Sequence, residues 1–172
     1  NPVAVAYSKR LFTMNDMQID VDQRALGNGS TSPFYAANDY ILSSFDIPKN
    51  TKHFRKIDIP TISLAAVIKE KNPTAIFCDI EGAEDEFLPP EDLQGVDKVI
   101  IELHPSHYGM HGVQRIKDRF TKNGFVSVEQ QQDTHCFLRR WFTGDFLRAS
   151  AVLADVLREE ARFLFAMLHR LS

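Results

Sequence analysis

The sequence predicts an α/β fold built on a mostly parallel sheet. Two short apolar runs, "AIFCDI" (75–80) and "DKVIIELH" (97–104), read as buried strands. Helical patterns at 61–72 and 111–124 lie before and after them, the alternation that builds βαβ units. The chain then gives "FVSVEQQQ" and "HCFLRR", two strands joined by the polar link Asp133 and Thr134, which predict a closing antiparallel hairpin.

In chain order, "VAVAYSKRLFTM" (3–14) reads as a helix. "MQIDVDQRAL" (17–26) alternates Ile19 and Val21 with Asp20 and Asp22, which is strand patterning. "GNGSTSP" (27–33) is a turn or loop, and "FYAA" (34–37) a short strand. Residues 38–60 show little periodicity and read as a long surface loop. In "TISLAAVIKEKN", Leu64, Ala65, Val67 and Ile68 supply an apolar face, Thr61 or Ser63 the cap, and Pro73 the stop. A short acidic helix is expected at 84–88, ended by Pro89 and Pro90. In "HGVQRIKDRFTKNG" the core face is Val113, Ile116 and Phe120, with Gly124 as the stop. From Asp145 to Leu171 a long helical pattern carries a broad apolar stripe. It fits packing on the domain, a homo-oligomer contact or a junction to more chain.

A chain of 172 residues is long enough for one domain with a sizeable core. Its net charge of −3 gives no reason to expect nucleic acid or a membrane surface as partner. No window has the length of uncharged apolar sequence that a membrane helix needs. The two cysteines, Cys78 and Cys136, both lie in apolar runs and read as buried free thiols of a reducing, cytoplasmic compartment.

Chemistry concentrates at the strand ends, where open α/β sheets bind their ligands. Asp79 closes the first buried strand; Glu102 and His104 close the second. If the strands are neighbours, all three converge on one crevice. Gly82 permits a tight turn or close approach of backbone to ligand. Glu84, Asp85 and Glu86 read as a solvated first helical turn, with Glu84 able to support the site. Asp79 and Glu81 could instead take a divalent cation, or hold a cationic or polyhydroxyl ligand. Glu102, His104, His107 and His111 do not follow a standard zinc spacing, and Pro105 and Gly109 break any helix that would align them, so no metal site is assigned. Walker A, dinucleotide-binding and G-x-S-x-G motifs are absent.

"ISLAAVIKEKNPTAIFCDIEGAEDEFL" followed by "DKVIIELHP" resembles the FkbM family of S-adenosylmethionine-dependent methyltransferases. The residues that match its D-x-E-G-x-E and I-E-x-H-P patterns are Asp79, Glu81, Gly82, Glu84, Glu102, His104 and Pro105. "DQRALGNGSTSPFY" and "SSF" (43–45) are also similar to family segments. Cys78 stands where the family often has lysine, and Ala65 where it usually has aspartate. The resemblance covers roughly residues 1–140. It implies a Rossmann-like class I methyltransferase sheet lacking its first two strands, and residues 141–172 would be a helical extension.

The glycine-rich cofactor loop would then lie before Asn1, and the chain would be the C-terminal part of a longer domain. The implied reaction is methyl transfer from S-adenosylmethionine to a hydroxyl of a sugar, glycan or small metabolite. Asp79, Glu81, Glu102 and His104 would be the catalytic residues. Asn1, Arg24, Ala25 and Asp79 would meet the cofactor. Two other readings stand beside it: a non-catalytic α/β interaction module, and a metal-dependent hydrolase using Asp79, Glu81 and Glu102.

Overall fold

The computed structural model describes residues 1–37 and 54–140. The expected C-terminal helix, and most of the segment read as a loop at 38–60, lie outside them. The fold is α/β with mixed sheets. The described residues fall into two compact units, Asn1–Ala66 and Val67 onward.

In the first unit, α1 (Pro2–Met14) forms where a helix was expected. Asn1 caps it by accepting from the Val3 N–H at 3.0 Å, and Pro2 suits the first helical position. Val3, Tyr7, Leu11 and Met14 share one face of α1, and all four are exposed. Residues 17–24 form no strand. The Asp22 carboxylate accepts from the Arg24 backbone N–H at 2.8 Å and from its guanidinium. This local turn competes with extended pairing. Only β1 (Ala25–Leu26) is extended.

Thr31 to Ala37 form β2 and Phe54 to Ile62 form β3, so the end of the expected 38–60 loop is a strand. β3 is central, parallel to β1 and antiparallel to β2. Thr61 secures the turn: its hydroxyl donates to the Ser30 carbonyl (2.6 Å) and accepts from the Gly29 N–H (3.1 Å). The helix α2 (Leu64–Lys71) follows, and the Ser63 hydroxyl accepts from the Ala66 N–H. Of the two caps considered, Ser63 serves.

The second unit holds a four-stranded sheet in the order β4-β5-β7-β6. Its strands are β4 (Ala75–Cys78), β5 (Lys98–Glu102), β6 (Phe125–Gln131) and β7 (Thr134–Arg139). β4 and β5 are parallel, as expected of neighbouring strands in a βαβ series. β7 pairs antiparallel with both β5 and β6. The expected hairpin is therefore present, but the sheet is mixed rather than mostly parallel, because the hairpin supplies half its strands. β5 is buried as predicted, with Val99, Ile100 and Ile101 almost inaccessible. β4 is not: among the described residues it is the outer strand, and Phe77 is 48% exposed.

The helix α4 (Pro105–Lys122) places Val113, Ile116 and Phe120 in the core, at the predicted spacing. The Phe120 ring stacks on Phe137 at 4.4 Å and meets Phe125 edge-on at 5.4 Å. Each such buried ring contributes about 2–3 kcal/mol of apolar burial. Gly109, at φ 67 and ψ 173, breaks the first turn of α4 from the rest, and Gly124 follows its end in the left-handed region. Arg139 is buried under this layer. Its guanidinium lies 4.1 Å from the Phe125 ring centroid and donates to the carbonyls of Val96 (2.8 Å), Asn123 (3.3 Å) and Leu93. A buried cation is tolerated because its donors are satisfied.

Cys136 is buried as expected, and Cys78 is half-buried. Burial pushes the Cys136 thiol up to about 11. Burial, then the charges of Glu84 and Asp79, pushes Cys78 up to about 12. Neither is set up as a nucleophile. Among the described residues, no helix is long and apolar enough to cross a membrane.

Candidate functional site

The site grows out of the turn that follows β4. Asp79 leaves the strand end, and the chain then takes two consecutive left-handed residues, Glu81 (φ 55) and Gly82 (φ 98). Glycine is required at 82 twice over. Its φ disfavours a side chain, and a Cβ there would strike the His107 ring. Glu81 has no such exemption, so its conformation is held against an intrinsic cost of about 1–3 kcal/mol.

The turn brings Glu84, the first residue of α3 (Glu84–Phe87), back under the strand ends. Glu84 is 1% exposed, which corrects its reading as part of a solvated helical turn. A buried carboxylate needs donors, and Glu84 has them. Its Oε1 accepts from the Gly82 N–H (3.0 Å), the Ile80 N–H (3.4 Å) and His104 Nδ1 (2.9 Å). Its Oε2 accepts from the Tyr108 hydroxyl at 3.1 Å. Oε1 already accepts from two backbone N–H groups, which assigns the hydrogen of the third contact to His104 Nδ1.

His104 follows β5 and caps α4; Pro105 begins the helix behind it. The Tyr108 hydroxyl accepts from the His104 backbone N–H at 2.5 Å, closing a ring of Glu84, His104 and Tyr108. Burial, opposed by that backbone hydrogen bond and reinforced by the Glu84 charge, holds the Tyr108 hydroxyl well above its ordinary pKa. The other imidazole nitrogen, Nε2, points outward. It lies 3.6 Å from Asp79 Oδ1 and 3.5 Å from Glu81 Oε2, both exposed side chains. The His107 ring covers Gly82 and meets the His104 ring edge-on at 6.0 Å.

Asp79, Glu81 and His104 therefore come together, each offering an atom within 4.8 Å of the others. Glu102, the exposed last residue of β5, is not in that group, so a hydrolase site on Asp79, Glu81 and Glu102 does not assemble. No family model, curated protein or solved structure matches this chain.

Asn1, Arg24 and Ala25 lie in the first unit. Asn1 is occupied with its helix cap and donates to the Ala37 carbonyl (3.3 Å). Arg24 is paired with Asp22 at 2.6 Å, and Ala25 begins β1. Asp85 is held from α4, accepting from Arg115 (2.5 Å) and Arg119 (3.1 Å), while Arg119 also reaches Glu91 at 2.8 Å. This network pins α3 to α4 at the surface.

The sequence reading did not include Tyr108. Its signal was available: Pro105 starts a helix, and residues 104 and 108 are then one turn apart on the same face.

Proposed function

We propose that this chain is part of an S-adenosylmethionine-dependent methyltransferase that acts on a hydroxyl of a sugar or other small metabolite. The observation that supports this reading is the placement of His104. Buried Glu84 holds it, and its free nitrogen sits between Asp79 and Glu81 at the carboxyl ends of a parallel strand pair. These are the residues that carry the resemblance to the FkbM family. The antiparallel hairpin beside the parallel pair is also what that resemblance implies for the closing edge of the sheet.

S-adenosylmethionine supplies a methyl group on a sulfonium, which the acceptor oxygen attacks in line, forming the O–CH3 bond as the S–CH3 bond breaks. The acceptor must lose a proton, and His104 Nε2 is placed to receive it. Glu84 keeps the hydrogen on Nδ1, so the outward nitrogen is the one able to accept. Exposed Asp79 and Glu81 suit hydrogen bonds to acceptor hydroxyls, or the sulfonium charge. That charge fades in the transition state, so pairing with it favours binding over rate. The cofactor roles of Asn1, Arg24 and Ala25 rest on the resemblance alone.

Calorimetric titration of S-adenosylhomocysteine into the full-length gene product tests this. Saturable binding is expected. His104→Gln should lower turnover at least about 100-fold and leave that affinity unchanged. Absence of any binding would remove the methyltransferase reading.

A further inference from the structure

We infer that Asp79, Glu81 and His104 form a binding site for one divalent first-row metal cation. The distances from His104 Nε2, 3.6 Å to Asp79 Oδ1 and 3.5 Å to Glu81 Oε2, are too long for N–H···O hydrogen bonds. The three atoms are gathered together without hydrogen bonds between them. Two ligand atoms each about 2.1 Å from a common ion lie about 3.0 Å apart at a right angle and about 3.4 Å apart in a tetrahedron. The two histidine–carboxylate spacings need to close by only a few tenths of an ångström, and all three atoms already lie within 4.8 Å of one another.

A second observation concerns the histidine itself. A metal-ligating imidazole donates its other N–H to a carboxylate or carbonyl, which fixes the tautomer and aims the lone pair. Glu84 does this for His104, and Glu84 is itself buried and fixed by the Gly82 and Ile80 N–H groups and Tyr108. Acidic side chains gathered on a surface would not need a buried carboxylate to orient a histidine among them.

The ligand set selects the ion class. Two carboxylates with one imidazole suit Mn²⁺, Co²⁺ or Zn²⁺ better than Ca²⁺, which takes six to eight oxygens. With Asp79 and Glu81 52% and 73% exposed as side chains, the outer coordination positions face outward, open to water or to adjacent oxygens of a substrate. The site stands on these side-chain positions and does not depend on methyl transfer. The cation and the acceptor's proton compete for the one lone pair of His104 Nε2, so a bound ion excludes that nitrogen from acting as the base.

Mn²⁺ titration followed by electron paramagnetic resonance tests the site, using metal-stripped full-length protein without S-adenosylmethionine. One saturable Mn²⁺ per chain is expected, with nitrogen coupling from the imidazole in the pulsed spectrum. Asp79→Asn with Glu81→Gln, both exposed, should abolish binding and leave the thermal melt unchanged. His104→Gln should weaken binding at least 10-fold and remove the nitrogen coupling. Glu84→Gln should weaken it about 10-fold through loss of orientation. Asp85→Asn should have no effect. Binding indifferent to Asp79, Glu81 and His104, or no saturable binding up to millimolar Mn²⁺, overturns the proposal. The S-adenosylhomocysteine titration is a separate measurement, so either reading can fail alone.

Discussion

Replacing Tyr108 by phenylalanine removes one oxygen that serves two partners. The hydroxyl donates to buried Glu84 at 3.1 Å and accepts from the His104 backbone N–H at 2.5 Å. A hydrogen bond to a charged group contributes about 1.5–3 kcal/mol and a neutral one about 0.5–1.5 kcal/mol. His104 is 14% exposed as a side chain, so water can reach part of the gap and recover some of this. The expected loss is about 2 kcal/mol, which lowers the urea midpoint by roughly 1 M at a slope near 2 kcal/mol/M. Paired with Glu84→Gln in a double-mutant cycle, it should show a coupling of about 1 kcal/mol or more. The alkaline limb adds a second readout. The folded hydroxyl has a raised pKa, so its contribution is complete below the unfolded value near 10 and is lost as pH rises beyond it. The stability difference between parent and Tyr108→Phe should therefore narrow above pH 10. A midpoint unchanged within about 0.2 M, or additive behaviour with Glu84→Gln, would refute the closed network.

Other variants probe the surrounding structure. Gly82→Ala should cost about 2 kcal/mol or more, because its φ of 98 and the His107 ring both oppose a Cβ; equilibrium unfolding measures this. Phe120→Ala, which removes a fully buried ring packed on Phe125 and Phe137, should cost about 3–5 kcal/mol in the same assay. His135 is buried, its Nδ1 has no partner among the described residues, and burial, then the charge of Lys117, lowers its pKa to about 4. The unfolded chain therefore takes up this proton first, and stability falls as pH drops from about 6.5 to about 4. His135→Leu should flatten that limb in pH-dependent melts, by at most about 3 kcal/mol.

Much of the second unit was legible because burial writes itself into periodicity. "KVII" could only be a covered strand, and Val113, Ile116 and Phe120 only a helix face. The parallel pairing that brings Asp79 beside His104 followed from the same alternation. β3 escaped notice because Pro60 and the polar residues of "FRKIDIP" break its pattern, while its partners come from elsewhere in the chain. The alternation at 17–24 misled in the opposite sense. Asp22 satisfies the backbone locally, and Ile19 remains exposed. Glu84 was the harder case. Three consecutive acidic residues look alike in sequence, and what separates the first from the others is a left-handed turn at Glu81 and Gly82 that no periodicity reports.

The break at Gly109 divides labour along α4. Before it, Pro105 to Tyr108 carry the groups that grip the site; after it, Val113, Ile116 and Phe120 serve the core. The glycine joint does not isolate the two: Gly112 lies against the Tyr108 ring, and Arg115 and Arg119 hold Asp85, the neighbour of Glu84. A change at Gly112, Arg115 or Arg119 would therefore reach His104 through Tyr108 and α3, so part of the core helix answers to the site as well as to the sheet.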